Sequence, residues 1–373
     1  MDFEFSDEQE QLRDAVRRWV DKGFGFERRH ALAKAGGKTR AVLGELNELG
    51  LAGLVVPEAH GGMGFGAVEA MVVMEELGRG LVNAPYAQAA LVAPTLLSRA
   101  PAALQQAWLP KMAAGEALVV LAQQERSSRY RLDQAATQAS EAGGNWKLSG
   151  TKVVVPAGDE ADAFIVSARV AGAEGVALFA VDKGAAGLEL RGYPTQDGAR
   201  AADLLLANTP ATLLTLQGHT ALEHAADVAI AALCAEGVGL MDRMVAITVD
   251  YMHQRKQFGV ALATFQALRH RIADVKMQLE LGRSMSYYAS LKLGEPPEQR
   301  RRALSQAKVQ LGNSMRFVGQ QCTQIHGGIG VTDEYASSHY FKRMTVIELS
   351  FGDTMHHLGE VSARMRDTAG VFA

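Results

Sequence analysis

From near Thr220 to near Lys256 the chain reads as one almost uninterrupted helix, on the order of 50 Å long at 1.5 Å per residue. A helix of that length needs long neighbours to cover it, and the sequence supplies them. A second helix is expected from about Thr264 to Leu293, with Leu268, Ile272, Val275 and Leu279 as its apolar stripe. A third starts after Pro296-Pro297, and two more follow a Gly-rich loop at 327 to 330. Long helices with short connections make a bundle. Arg255 and Lys256 are expected in the last turn of the long helix, where cations suit the negative end of the dipole, with Gly259 as the stop.

The remainder divides by periodicity. Residues 1–120 read as helices: Ser6 and Gln9 form a capping box, and Leu12, Val16 and Val20 recur at helical spacing beside Trp19. A Gly-rich loop from His60 to Gly66 precedes a helix over roughly 67 to 79. Residues 121–212 carry short β-rich runs: Trp146 to Leu148, Lys152 to Val155, Ala163 to Ala168, Val176 to Val181 and Leu188 to Leu190. Gly143-Gly144-Asn145 and Gly184 to Gly187 are turns between them. Strands without helices between them predict an antiparallel sandwich or barrel. The expected architecture is therefore mainly α with a middle β domain: an N-terminal helical domain (1–120), an antiparallel β domain (121–212) and a C-terminal helical bundle (213–373).

Composition excludes several classes. Of the 373 residues 48% are hydrophobic, enough for a sizeable core. Lys and Arg number 38 and Asp and Glu 41, a net charge of −3, so no nucleic-acid partner is expected. Arg300, Arg301 and Arg302 read as a solvated helix face. Cys234 and Cys322 read as small buried hydrophobes, and no Cys/His spacing suits zinc. The acidic N-terminus has no apolar h-region and no stretch reaches the roughly 20 apolar residues of a membrane span. A cytoplasmic location is expected.

Gly-x-Ser-x-Gly, P-loop and His-Glu-x-x-His signatures are absent, and Gly62, Gly64 and Gly66 fail the dinucleotide spacing. Two segments of the bundle stand out. In Arg255-Lys256-Gln257-Phe258-Gly259, with Phe265-Gln266, the arginine fork suits a pyrophosphate and the aromatic suits a ring system. In Gln324-Ile325-His326-Gly327-Gly328-Ile329-Gly330, the glycines let backbone N–H groups approach an anion or a ribose. Taken alone, the first could be a dipole partner and the second a helix C-cap.

Together the two segments resemble the Arg-x-x-Phe-Gly…Phe-Gln and Gln-x-x-Gly-Gly-x-Gly signatures of the acyl-CoA dehydrogenase family. Leu54-Val55-Val56-Pro57-Glu58-Ala59-His60-Gly61-Gly62 resembles that family's N-terminal loop. The likeness covers essentially the whole chain. It implies FAD as cofactor, acyl-CoA as substrate, electron-transfer flavoprotein as oxidant and a tetrameric assembly. It also implies that Arg255, Gln257, Phe258, Phe265, Gln266, Gln324, Gly327 and Gly328 contact FAD held mainly by a neighbouring subunit.

The same resemblance exposes departures. In most members a glutamate base removes the α-proton, and a β-hydride passes to flavin N5. The position of that glutamate falls on Phe351, or on Gly352 in the alternative register, and neither takes a proton. A second position used by some members falls near Ala229-Ile230, also inert. Asp353 is a weak candidate base and reads foremost as a helix N-cap; Glu348 reads as an exposed helix residue. His356-His357 has no third metal ligand at useful spacing. In the β domain, Gln124-Glu125-Arg126-Ser127-Ser128-Arg129-Tyr130-Arg131 and Val154-Val155-Pro156-Ala157 stand where the family leans on flavin. There Val154 replaces a tryptophan and Pro156 a threonine. Arg191-Gly192-Tyr193-Pro194-Thr195-Gln196-Asp197-Gly198, His339-Tyr340-Phe341-Lys342-Arg343 and Phe351-Gly352-Asp353-Thr354 bring the chain nearest to the small subunits of two-gene pimeloyl-CoA dehydrogenases. The expectation is a subunit without its own base, paired with a catalytic subunit that forms 2-enoyl-CoA. The alternatives are a self-sufficient homo-oligomeric dehydrogenase and a non-catalytic scaffold or acyl-CoA-binding protein.

Overall fold

The computed structural model describes residues 5–172 and 175–369, with side chains to residue 365. Its helices are α1 (Asp7–Gly23), α2 (Phe26–Lys34), α3 (Arg40–Glu48), α4 (Ala67–Arg79), α5 (Ala93–Leu97), α6 (Ala102–Ala113), α7 (Gly218–Gln254), α8 (Gln266–Lys292), α9 (Pro297–His326), α10 (Ala336–Leu349) and α11 (Thr354–Ala369). Its strands are β1 (Val119–Ala122), β2 (Gln138–Ala142), β3 (Asn145–Pro156), β4 (Ala163–Val170), β5 (Ala177–Asp182), β6 (Leu188–Pro194), β7 (Arg200–Thr215), β8 (Lys256–Gln257) and β9 (Val260–Ala261). The chain is thus helical at both ends with a β domain between. It separates into two compact units, residues 1–30, 67–82 and 230–373 in one and 31–66 and 83–229 in the other.

In the first unit α1 begins with the expected capping box of Ser6 and Gln9 and buries Val16 and Val20. Helices α7 to α10 share one core, including Met241 and Met244 of α7, Val275 and Leu279 of α8, Leu311 and Met315 of α9, and Met344 and Ile347 of α10. Glycines let α4 and α7 touch backbone to backbone. A Cβ on Gly78 would lie 2.1 Å from the Glu236 carbonyl oxygen, and one on Gly239 would lie 1.9 Å from that of Glu75. The nearby charges are paired. Glu236 takes Arg343 at 2.6 and 2.9 Å, and Glu76 takes Arg17 at 2.6 Å and Arg79 at 2.7 Å. Arg300 is buried rather than solvated, with its guanidinium turned to the Glu295 carbonyl. The packed apolar face of α9 draws it inward while its head still finds an oxygen.

In the second unit the pairings β4–β2–β3–β7–β5–β4 close on themselves, with β1 added to β4 and β6 to β7. Phe164, Val166, Phe179, Leu148 and Leu204 fill the interior. The antiparallel expectation holds for most of the sheet, but β1–β4 and β2–β4 are parallel. Chain segments from both sides of β3 return to flank β4, which short-range turn signals cannot reveal. The long strand β7 escaped the sequence reading because it is Leu-rich and contains Pro210. Lys152, fully buried, bonds Glu125 at 2.6 Å and Ser167 at 2.9 Å. Glu125 also accepts from Thr137, at 3.1 Å from its N–H and 2.7 Å from its hydroxyl. This pair ties the irregular 123–137 segment to the sheet.

Gly239→Ala is expected to cost about 1–3 kcal/mol, because its Cβ meets backbone that cannot yield as a side chain can. The denaturant midpoint of the purified chain measures it.

Candidate functional site

The long helix ends at Gln254, so Arg255 lies just beyond its last turn and Lys256 opens a hairpin instead. Strands β8 and β9 are joined by Phe258 and Gly259, both at positive φ, 52° and 81°. Two such residues suit the twist of a two-residue hairpin. The early stop has a local cause: the Leu262 N–H bonds the Arg255 carbonyl at 2.9 Å and closes the hairpin root. Phe258 is 93% exposed, its ring edge-on to Phe265 at 6.2 Å. A bulky residue in the left-handed region is strained, and an aromatic ring left in water gains nothing from burial. Arg255, Gln257 and Gln266 are exposed beside it.

The second segment closes α9. Gly327 takes φ 64° and starts a 3₁₀ turn to Val331. A Cβ on Gly330 would lie 2.8 Å from the Thr323 carbonyl oxygen, so that glycine serves packing. Gly328 is different: its φ is not left-handed and its Cβ direction is open within 4 Å. Nothing within the chain requires a glycine there. Gln324 is exposed in the last turn of α9.

Two residues that sequence reasoning passed over bring these segments together. Tyr251, one turn before Arg255, donates its hydroxyl to the His326 carbonyl at 3.3 Å, and the two rings lie 4.6 Å apart. Tyr335 packs against His326 at 5.0 Å. Burial lowers the His326 pKa, since desolvation disfavours the charged imidazolium. The result is an exposed guanidinium, an exposed aromatic face, three carboxamides and an open glycine backbone around one root. Such a set can hold a phosphate and a planar ring, so the residues present fit the FAD that the resemblance implies.

His339 anchors the turn that follows. Arg29 donates to its Nδ1, so its Nε2 carries the proton, directed at the Asp333 carbonyl at 2.8 Å. His30, Asp333 and His339 lie close enough to suggest a metal cluster, but this tautomer turns a proton rather than a lone pair toward Asp333.

The segment between α10 and α11 is organised about a different residue. Lys308 of α9 is buried, and its ammonium donates to the carbonyls of Ile347, Glu348, Ser350 and Gly352 at 2.7, 3.0, 2.9 and 3.1 Å. Within this loop Phe351 has φ 55° and Gly352 φ 112°. The Phe351 ring packs toward the helical core, and its carbonyl contacts His357 Nε2 at 3.0 Å. Asp353 Oδ1 accepts the His356 N–H at 2.8 Å and so caps α11. Glu348 is not an exposed helix residue: it is largely covered and accepts the Thr354 N–H at 3.0 Å and Arg316 at 3.3 Å. Ala229 and Ile230 are buried and apolar. In the second unit Val154 sits in a β-bulge at φ 53°, its N–H held by Tyr193 at 3.2 Å and Asp203 at 3.1 Å. Val154 is 44% exposed.

Lys308 could have been found from sequence. It falls on the apolar stripe of α9 with Leu304, Leu311 and Met315, where a lone lysine needs a reason.

Burial and the neighbouring Lys308 hold the His357 pKa down to about 3, far below the ordinary value near 6.5. Between those values the unfolded chain binds the proton and the folded chain does not. The stability His357 confers is therefore complete above about pH 6.5 and falls with pH below it, by at most about 1.4 kcal/mol per unit. Urea midpoints between pH 7 and 5 measure the slope, and His357→Gln is expected to flatten it.

Comparison with known proteins identifies the family. Residues 6–116, 121–208 and 217–366 match the models described as acyl-CoA dehydrogenase, N-terminal, middle and C-terminal domain. The chain is 27% identical to the mitochondrial long-chain specific acyl-CoA dehydrogenase of Rattus norvegicus, covering 96% of this chain and 86% of that one. It is 25% identical to the acryloyl-CoA reductase (NADH) of Anaerotignum propionicum, covering 96% and 94%. A solved structure, a variant of the Tcur3481-Tcur3483 steroid ACAD, superposes with a TM-score of 0.87 at 29% identity, covering 98% of this chain and 99% of that chain. Helical ends around a β domain match this assignment: the chain belongs to the acyl-CoA dehydrogenase family.

Proposed function

We propose that this chain is one subunit of a heteromeric acyl-CoA dehydrogenase, of the two-gene kind that includes pimeloyl-CoA dehydrogenase. It lends residues to FAD bound mainly by a neighbouring catalytic subunit and has no base of its own. The observation that carries the reading is the 347–354 segment. On this reading the position of the base falls on Phe351 or Gly352, and the two nearest carboxylates, Asp353 and Glu348, are both engaged with main-chain N–H groups of α11. A carboxylate already accepting such a bond is poorly placed to take an α-proton.

On this reading the catalytic partner supplies the glutamate that removes the α-proton. FAD, when bound, supplies the hydride acceptor. Arg255 holds the pyrophosphate by its fork. Phe258 gives its exposed face to a ring of the cofactor, and Gln257 bonds the phosphate or ribityl region. Gln324, Gly327 and Gly328 meet the adenosine end, where an open Cβ direction at Gly328 leaves room for close approach. Phe265 backs Phe258 and Gln266 borders the hairpin. The steroid ACAD structure at 29% identity is named for two chains, which supports a paired assembly. Electron-transfer flavoprotein is the electron acceptor on this reading.

The test is to purify the chain alone and together with the product of the adjacent gene. Flavin absorbance and dehydrogenase activity on acyl-CoA thioesters are expected only in the pair, and full activity of the lone chain would overturn the reading. In the pair, Arg255→Ala is expected to weaken FAD retention by roughly 10- to 100-fold, the worth of about 1.5–3 kcal/mol for hydrogen bonds to a charged group. Asp353→Asn preserves the helix cap, since Asn caps as well as Asp. It is expected to leave the activity of the pair unchanged; a large loss with FAD still bound would point to Asp353 as a base.

A further inference from the structure

An ammonium group has three N–H donors, yet the Lys308 Nζ lies within 3.1 Å of four main-chain carbonyls, those of Ile347, Glu348, Ser350 and Gly352. Carbonyl oxygens gathered around one positive charge reproduce the shell that a monovalent cation receives when it leaves water. The four carbonyls belong to the end of α10 and the turn after it, where helix geometry leaves acceptors without partners. The charge facing them is enclosed: the Cys234 thiol, the Glu348 and Asp353 carboxylates and the His357 imidazole are the titratable groups around it. His357 takes the carbonyl between, that of Phe351. Two buried side chains thus account for the carbonyls of residues 347, 348, 350, 351 and 352.

The local sequence does not explain this turn. Phe351 is a bulky residue at φ 55°, a strained conformation that persists only when its surroundings over-determine it. The convergent carbonyls supply that over-determination.

We infer that Lys308 is a positioning residue whose ammonium serves as a built-in monovalent cation, folding residues 347–352 around itself and fixing side chain 351 and the start of α11. The role concerns this chain's own backbone and is independent of FAD and of any partner.

Lys308→Ala in the full chain removes the charge and opens a space beside the carbonyls. Hydrogen exchange of the amides of residues 347–354 is expected to quicken by at least about tenfold, as a local opening made easier. Ammonium or methylammonium, and potassium to a lesser degree, is expected to slow it again, with no effect on the unsubstituted chain. Unchanged exchange in the segment overturns the inference. Faster exchange that none of these cations reverses overturns the cation role, since ordinary loss of packing would look the same with or without them. Should the alanine chain fail to fold, Lys308→Met keeps most of the bulk without the charge, and native exchange in that variant overturns the inference equally.

Discussion

Taking an ammonium group out of water costs several kcal/mol unless the fold replaces the oxygens that water supplied. Each compact unit of this chain meets that condition once with a lysine that is almost fully buried. Lys152 is met by a carboxylate and a hydroxyl, and Lys308 by main-chain carbonyls. In both places the charge ties down an irregular segment, 123–137 in one unit and 347–352 in the other. A regular helix or strand satisfies its own backbone; a loop that must keep one shape needs partners from elsewhere. A buried cation is an effective partner because one centre can gather several oxygens.

Within or close to each segment is a pinned, left-handed residue of the main chain. Val154 stands in a bulge pinned by Tyr193 and Asp203, and Phe351 stands in a turn pinned by Lys308 and His357. Both residues hold the left-handed backbone region, at φ 53° and 55°.

Much of this was legible in the sequence, and the reasons differ by element. Helix α4 and the capping box of α1 were readable because local spacing and local hydrogen bonds determine them. The end of α7 was placed slightly too late because the Leu262 to Arg255 bond that turns the chain comes from beyond the helix. Strand β7 was hidden by leucines and a proline, which favour β structure only once β3, β5 and β6 surround them. The joining of the two FAD-type segments through Tyr251 and His326 spans 75 residues, and neither residue belongs to the spacing that marks the signatures. Lys308 was overlooked because a lysine is ordinarily a surface residue, although its place on an apolar stripe marked it.

The three glycines of the loop after α9 answer to different judges. Gly327 is held by its own backbone conformation and Gly330 by the wall of α9 behind it, so a side chain at either is opposed by the chain itself. At Gly328 the chain is indifferent. Over evolutionary time, drift at 327 and 330 is therefore checked wherever this polypeptide must fold, whether or not it binds anything. Drift at 328 is checked only while something outside the chain comes close, which makes that single position a record of whether the loop is still in use.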